Sequence, residues 1–115
     1  MGQAIGQTGG GQTGGGQAGG GQAGGEQAVT DNRAMGRFEL AVGGQTVYAD
    51  YRRNGPTLVI SYVEAPPSLR GTGAAGRLME GVMEAARAEG LKIVPLCSYA
   101  ALWMRRNRRH TDLLA

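Results

Sequence analysis

The first quarter of this chain cannot contribute to a folded core. Gly6-Gln7-Thr8-Gly9-Gly10 recurs as 11–15, 16–20 and 21–25, with Thr or Ala at the third place. Thirteen of the 22 glycines precede Glu26. Glycine loses the most backbone entropy on ordering, and these repeats offer almost no apolar side chain to offset that loss. A polar five-residue period is also too short for a solenoid repeat. Residues 1 to about 33 are therefore expected to form a disordered, linker-like tail. The foldable part is 34–115, a single domain of about 80 residues, able to fold alone around a small core.

Composition removes several function classes. The tail has neither a basic n-region nor an apolar h-region, so no signal peptide is expected. No run of about 18 apolar residues is present, so no membrane-spanning helix is expected. One cysteine cannot form an internal disulfide and suits a reduced, cytoplasmic setting. One His and one Cys do not make a metal site, and none is expected. The net charge is +3, and much of the excess lies in Arg105, Arg106, Arg108 and Arg109. Such a cluster could meet nucleic acid or an acidic partner, but cations also favour a solvated helix C-terminus. The latter reading is preferred, and nucleic acid is not the expected partner.

From Arg37 onward the periodicity changes from strand to helix and back. Arg37 to Val42 alternates as a half-buried strand does, and Gly43-Gly44 supplies a two-residue hairpin turn. Gln45 to Arg53 carries Val47, Ala49 and Tyr51 on one face. Asn54-Gly55-Pro56 is a second turn. Thr57 to Val63 is apolar on both faces and should be central. Pro66 and Pro67 then interrupt any ladder. A helix is expected from Gly73 or Ala74 to Glu89, with Ala75, Leu78, Met79, Val82, Met83 and Ala86 as its apolar stripe and Gly90 as its stop. Lys92 to Leu96 is a short buried strand, parallel to the third if adjacent. Ser98 can cap a last helix, Tyr99 to about Asn107. The expected class is α/β (α+β), a mixed sheet in the order β-β-β-α-β-α.

The chemistry concentrates between the third strand and the long helix. Leu69-Arg70-Gly71-Thr72-Gly73-Ala74-Ala75-Gly76 is a glycine-rich turn opening a helix. The unpaired N–H groups of the first helical turn and the helix dipole favour an anion there, and small residues let it approach the backbone. Arg70-Gly71-Thr72-Gly73-Ala74-Ala75 also fits the pyrophosphate signature of the GNAT acetyltransferase superfamily. With Glu64-Ala65-Pro66-Pro67 before it and Val94-Pro95-Leu96-Cys97 after the helix, about Arg37 to Asn107 resembles the small single-domain members, the minimal YjdJ-like group. The GNAT-like domain would then span 34–115.

That resemblance implies an N-acetyltransferase with acetyl-CoA as cofactor and a small-molecule or protein amine as acceptor; a monomer or weak dimer is expected. The amides of Arg70, Gly71, Thr72, Gly73, Ala74 and Ala75 would hold the pyrophosphate. The edge at Val63, Glu64 and Ala65 would pair with the pantetheine amides. Where the third and fourth strands part, the thioester would lie. Cys97 would line the acetyl site, and Glu64 and Tyr62 are candidates for proton transfer. The sequence departs from the group at Tyr62, where His is common, and at Trp103, where Tyr is common. Tyr99 reads first as a packing residue. His110, so near the end, is expected to be exposed and is given no role. The alternative from a different class is a non-catalytic module on the same fold, binding CoA, nucleic acid or an acidic partner.

Overall fold

The computed structural model describes residues 28–115; the repeats of the expected tail lie outside the described residues. Five strands form one sheet in the order β1-β2-β3-β4-β5. They are Thr30–Asn32 (β1), Arg37–Val42 (β2), Gln45–Asn54 (β3), Thr57–Glu64 (β4) and Lys92–Pro95 (β5). Neighbours are antiparallel except β4 and β5, which run parallel. Helix α1 (Ala74–Glu89) joins those two, and helix α2 (Ser98–Arg106) follows β5. Short 3₁₀ turns occupy Pro67–Leu69 and Arg108–Leu113. The expected mixed-sheet class and the order from Arg37 onward are present.

The sheet starts earlier than the sequence led us to expect. Thr30–Asn32 pairs with Arg37–Glu39, inside the segment assigned to the tail. Its three residues are all polar, so no hydrophobic pattern marks the strand. Side-chain bonds hold it instead. The Tyr51 hydroxyl donates to Asp31 Oδ1 at 2.5 Å, and Arg53 reaches both Asp31 Oδ2 (2.8 Å) and Glu89 Oε1 (2.6 Å). The Arg53 guanidinium beside Glu89 holds that carboxylate below its ordinary range.

Just before β1, Val29 sits on α1 where Gly81 has no side chain. A Cβ at Gly81 would lie 2.3 Å from Val29 Cγ2 and 2.4 Å from its Cβ. Gly81→Ala should therefore expel Val29. The expected result is faster hydrogen exchange at the Thr30–Asn32 amides with slower exchange along α1, since alanine stiffens a helix. Unchanged exchange in β1 would mean that Val29 does not anchor it.

The core lies between α1 and one face of β2–β4. Leu78, Met79, Val82 and Met83 are fully buried against Phe38, Leu40, Val47, Ala49, Leu58 and Ile60. Apart from Ala49, each such side chain stabilises by roughly 1.5–3 kcal/mol. Ala74, not Ala75, begins the buried stripe; the i, i+4 row is Ala74, Leu78, Val82 and Ala86. Ala75 is left half-buried toward the cleft described below. Gly90 ends α1 with φ 71°, its N–H reaching Arg87, while Leu91 N–H reaches Ala86 C=O at 2.8 Å. Ser98 does not cap α2: Cys97 occupies the cap position, and no side chain bonds the first turn.

The feature that positions the site is the parting of β4 and β5. Their ladder runs only from Thr57↔Lys92 to Ile60↔Pro95, where proline has no N–H to continue it. The Ile60 carbonyl accepts the N–H groups of both Leu96 (2.9 Å) and Cys97 (3.2 Å), and the chain then turns into α2. β4 continues alone to Glu64, paired only with β3. A bulge falls at the same place. Ile60 faces Tyr51 and Tyr62 faces Asp50, so Ser61 is the extra residue. Inward-facing residues are thus three apart there: Ile60, then Val63 opposite buried Ala49. The outer edge of β5 is covered by the C-terminus, where Leu114 bridges Ile93 and Ala115 N–H donates to Ile93 C=O at 2.9 Å.

Candidate functional site

Between the open edge of β4 and the start of α1 the chain makes the glycine-rich turn. Two of its residues require glycine: Gly71 at φ 81° and Gly73, the N-cap of α1, at φ 88°. Thr72 fixes the turn from within. Its hydroxyl donates to Leu69 C=O at 2.5 Å and accepts Ala74 N–H at 3.3 Å. The N–H groups of Gly71, Gly73, Ala75 and Gly76 find no acceptor among the described residues. Four free donors at the positive end of a 16-residue helix are the kind of group that an anion can satisfy. Arg70 ties the turn to the strand, its Nε donating to Ala65 C=O (3.0 Å) and its Nη2 to Glu64 Oε2 (3.2 Å).

Those four amides belong to residues lining a cleft of about 530 Å³. Val63, Glu64 and Ala65 form the strand-edge wall; Leu69, Arg70 and Gly71 form the loop; Gly73, Ala75 and Gly76 form the helix wall. Tyr99, in the first turn of α2, completes the lining. Of the residues expected to hold a cofactor, Val63, Ala65, Arg70, Gly71, Gly73 and Ala75 meet here, together with Glu64. Thr72 and Ala74 shape the turn from behind, and Ala74 is fully buried. Tyr62 and Cys97 are not part of the wall. Tyr62 is 48% exposed, and Cys97 is a half-buried free thiol at the N-cap of α2.

The titratable groups around the cleft have defined protonation at neutral pH. The Tyr62 hydroxyl donates to Glu64 Oε1 at 2.5 Å. That bond, followed in size by the opposing effect of desolvation and the attraction of Arg70, leaves the Glu64 carboxyl below its ordinary range. The same bond raises Tyr62. Glu64 is therefore ionised and Tyr62 protonated. Burial first, then the neighbouring Cys97, pushes the Tyr99 phenol up, so it too keeps its proton.

One further placement differs from expectation. His110 is buried, at 8% exposure, rather than exposed. It packs against α1 and α2 because the 3₁₀ turn after Asn107 folds the chain back. Arg105 and Arg106, in the last turn of α2, and Arg108 are exposed, in line with the solvated helix end preferred from the sequence, while Arg109 pairs with Glu80. Tyr99 was the wall residue hardest to see in the sequence. Its only signal is its place in the first helical turn after the strand that parts from β4.

A mixed sheet with a splayed parallel pair, and a free-amide turn opening the crossover helix beside the gap, defines an α/β domain with a cleft open along a strand edge. The sequence profile of the GCN5-related N-acetyltransferases matches residues 37–113, and the chain belongs to that family. The fold agrees. The solution structure of a GCN5-like protein from Staphylococcus aureus is similar at TM-score 0.57 and 20% identity, over 76% of this chain and 86% of that one. No curated protein matches the chain. Among the described residues, no helix is long and apolar enough to cross a membrane.

Proposed function

We propose that this N-acetyltransferase domain binds acetyl-CoA in the cleft and acetylates an amine. The observation that carries the reading is the set of four free N–H groups, from Gly71, Gly73, Ala75 and Gly76, lining one cleft with an unpaired strand edge. A pyrophosphate fits the amides, and a pantetheine arm fits the edge from Val63 to Ala65, as an added strand would. When bound, acetyl-CoA supplies an activated acetyl thioester. The chain contributes orientation along β4 and exclusion of water by Leu69, Ala75 and Tyr99. Glu64, ionised beside protonated Tyr62, takes the proton of the incoming amine through solvent. Cys97 lies beyond the cleft wall, where its own N–H and that of Leu96 are fixed on Ile60, and it is given no covalent role. The acceptor is a small-molecule or protein amine, the chain acts as a monomer or weak dimer, and a cytoplasmic setting suits the single free thiol.

Isothermal titration with acetyl-CoA tests the binding step, and thiol release in the presence of an amine panel tests transfer. Absence of binding at hundreds of micromolar would overturn the reading. Cys97→Ala is expected to keep turnover within about fivefold, because the amine attacks directly; a loss of about a thousandfold would make Cys97 a nucleophile instead. Glu64→Gln is expected to lower kcat by about a hundredfold, the usual range for general base removal.

A further inference from the structure

His110 is buried, titratable and unused by the chemistry proposed above, yet its ring is held on three sides. Nε2 lies 2.9 Å from Glu80 Oε1, and Nδ1 lies 3.1 Å from Arg87 Nη2. The ring stacks on the Trp103 indole, with centroids 5.7 Å apart and planes 16° from parallel. A guanidinium can only donate, so Nδ1 must be the acceptor and Nε2 must carry the single proton, donated to Glu80. The geometry therefore demands a neutral imidazole.

Trp103 connects this ring to the cleft. A Cβ built at Gly76 would lie 3.5 Å from Trp103 Nε1, and Gly76 is one of the four residues whose free amides line the cleft. The order of contact is His110, Trp103, Gly76 and then the anion site. The 3₁₀ turn that carries His110 is held to α1 by Arg87, whose Nη1 lies 2.6 Å from Asp112 Oδ2. Lys92 of β5 donates to Asp112 C=O at 2.6 Å.

We infer that His110 is a positioning residue, which in its neutral form seats Trp103 behind Gly76 and so makes cofactor affinity fall in mild acid. This rests on the acetyl-CoA reading of the cleft. Protonation would put an N–H at Nδ1 against the Arg87 guanidinium. The charged groups facing the ring are Arg87 and Glu80 from α1 and Arg109 and Asp112 from its own turn, and Glu80 is already paired with Arg109. Burial, then Arg109 and Arg87, hold His110 below the ordinary imidazole value, with Asp112 opposing. The stability contributed by the neutral ring is complete above about pH 6.5 and is lost as pH falls through the lowered value.

The chain has one tryptophan, so its fluorescence reports this stack directly. Emission of the free protein should follow a one-proton transition below pH 6.5 that is missing in His110→Gln, whose amide can donate and accept without titrating. Acetyl-CoA affinity of the wild type should drop about five- to tenfold more than that of His110→Gln between pH 7.5 and 5.5, one proton giving at most about tenfold per pH unit. Comparing the two proteins cancels titration of the CoA phosphate itself. Equal pH profiles for the two, in fluorescence or in affinity, would overturn the inference. Failure of both proteins to bind at every pH, with the fluorescence transition intact, would instead overturn the acetyl-CoA reading on which the inference rests. If His110→Gln fails to fold, the histidine ring signals of the wild type, followed by NMR, give the same answer: a lone imidazole titrating at or above 6.5 counts against it.

Discussion

Gly73→Asp is expected to weaken acetyl-CoA binding far more than Gly73→Asn does. Gly73 is the N-cap of α1, with φ 88°, and an added Cβ would meet nothing within 4 Å. Space is therefore not the obstacle. Asn and Asp are the L-residues that best tolerate a left-handed backbone, so the two variants carry a similar conformational strain. They differ by one charge. A carboxylate about 5 Å from a phosphate, at an effective dielectric constant of about 20, is repelled by roughly 3 kcal/mol, or about a hundredfold in affinity. Asn should lose no more than about tenfold. Titration calorimetry on the pair separates charge from strain, because folding is nearly the same in both. Equal affinities for Asp and Asn would remove the phosphate from this turn.

How much of the fold and the site can be read from the residues alone depends on what kind of signal each element leaves in sequence. The strands from Arg37 to Val63 and the helix to Glu89 were legible because their apolar spacing repeats at 2 or 3.6 residues, with Gly43-Gly44, Gly55 and Gly90 at the breaks. The glycine-rich turn was legible because Gly71 and Gly73, so close together ahead of an apolar helical stripe, mark a backbone that needs positive φ. β1 was not, since Thr30-Asp31-Asn32 is held by Tyr51 and Arg53, which lie about 20 residues away. The burial of His110 was equally hidden. It depends on Glu80 and Arg87 of α1 and on the stack with Trp103, and none of these is marked by local periodicity. Tyr99 illustrates a third case: its helix was expected, but the side that faces the cleft is set by where β5 stops.

Ile60→Ala should strongly destabilise the folded state, and its effect should separate stability from binding. Ile60 is fully buried on β4, between Tyr51 on β3 and Pro95 on β5. It is the last β4 residue paired on both sides before the strands part. Removing its side chain leaves a cavity beneath α1, and such changes cost about 3 kcal/mol within a range of 2–5. In a domain of this size that lowers Tm by roughly 10–20 °C, whereas Ile60→Val should cost about 1 kcal/mol. The parting of β4 and β5 is fixed by the Ile60 carbonyl, which accepts Leu96 and Cys97 N–H and survives the truncation. Acetyl-CoA affinity measured well below Tm should then stay within about threefold of wild type. A Tm shift of less than a few degrees would mean that the core does not close on Ile60. A large loss of affinity with Tm unchanged would mean that the side chain, rather than the backbone, holds the strands apart.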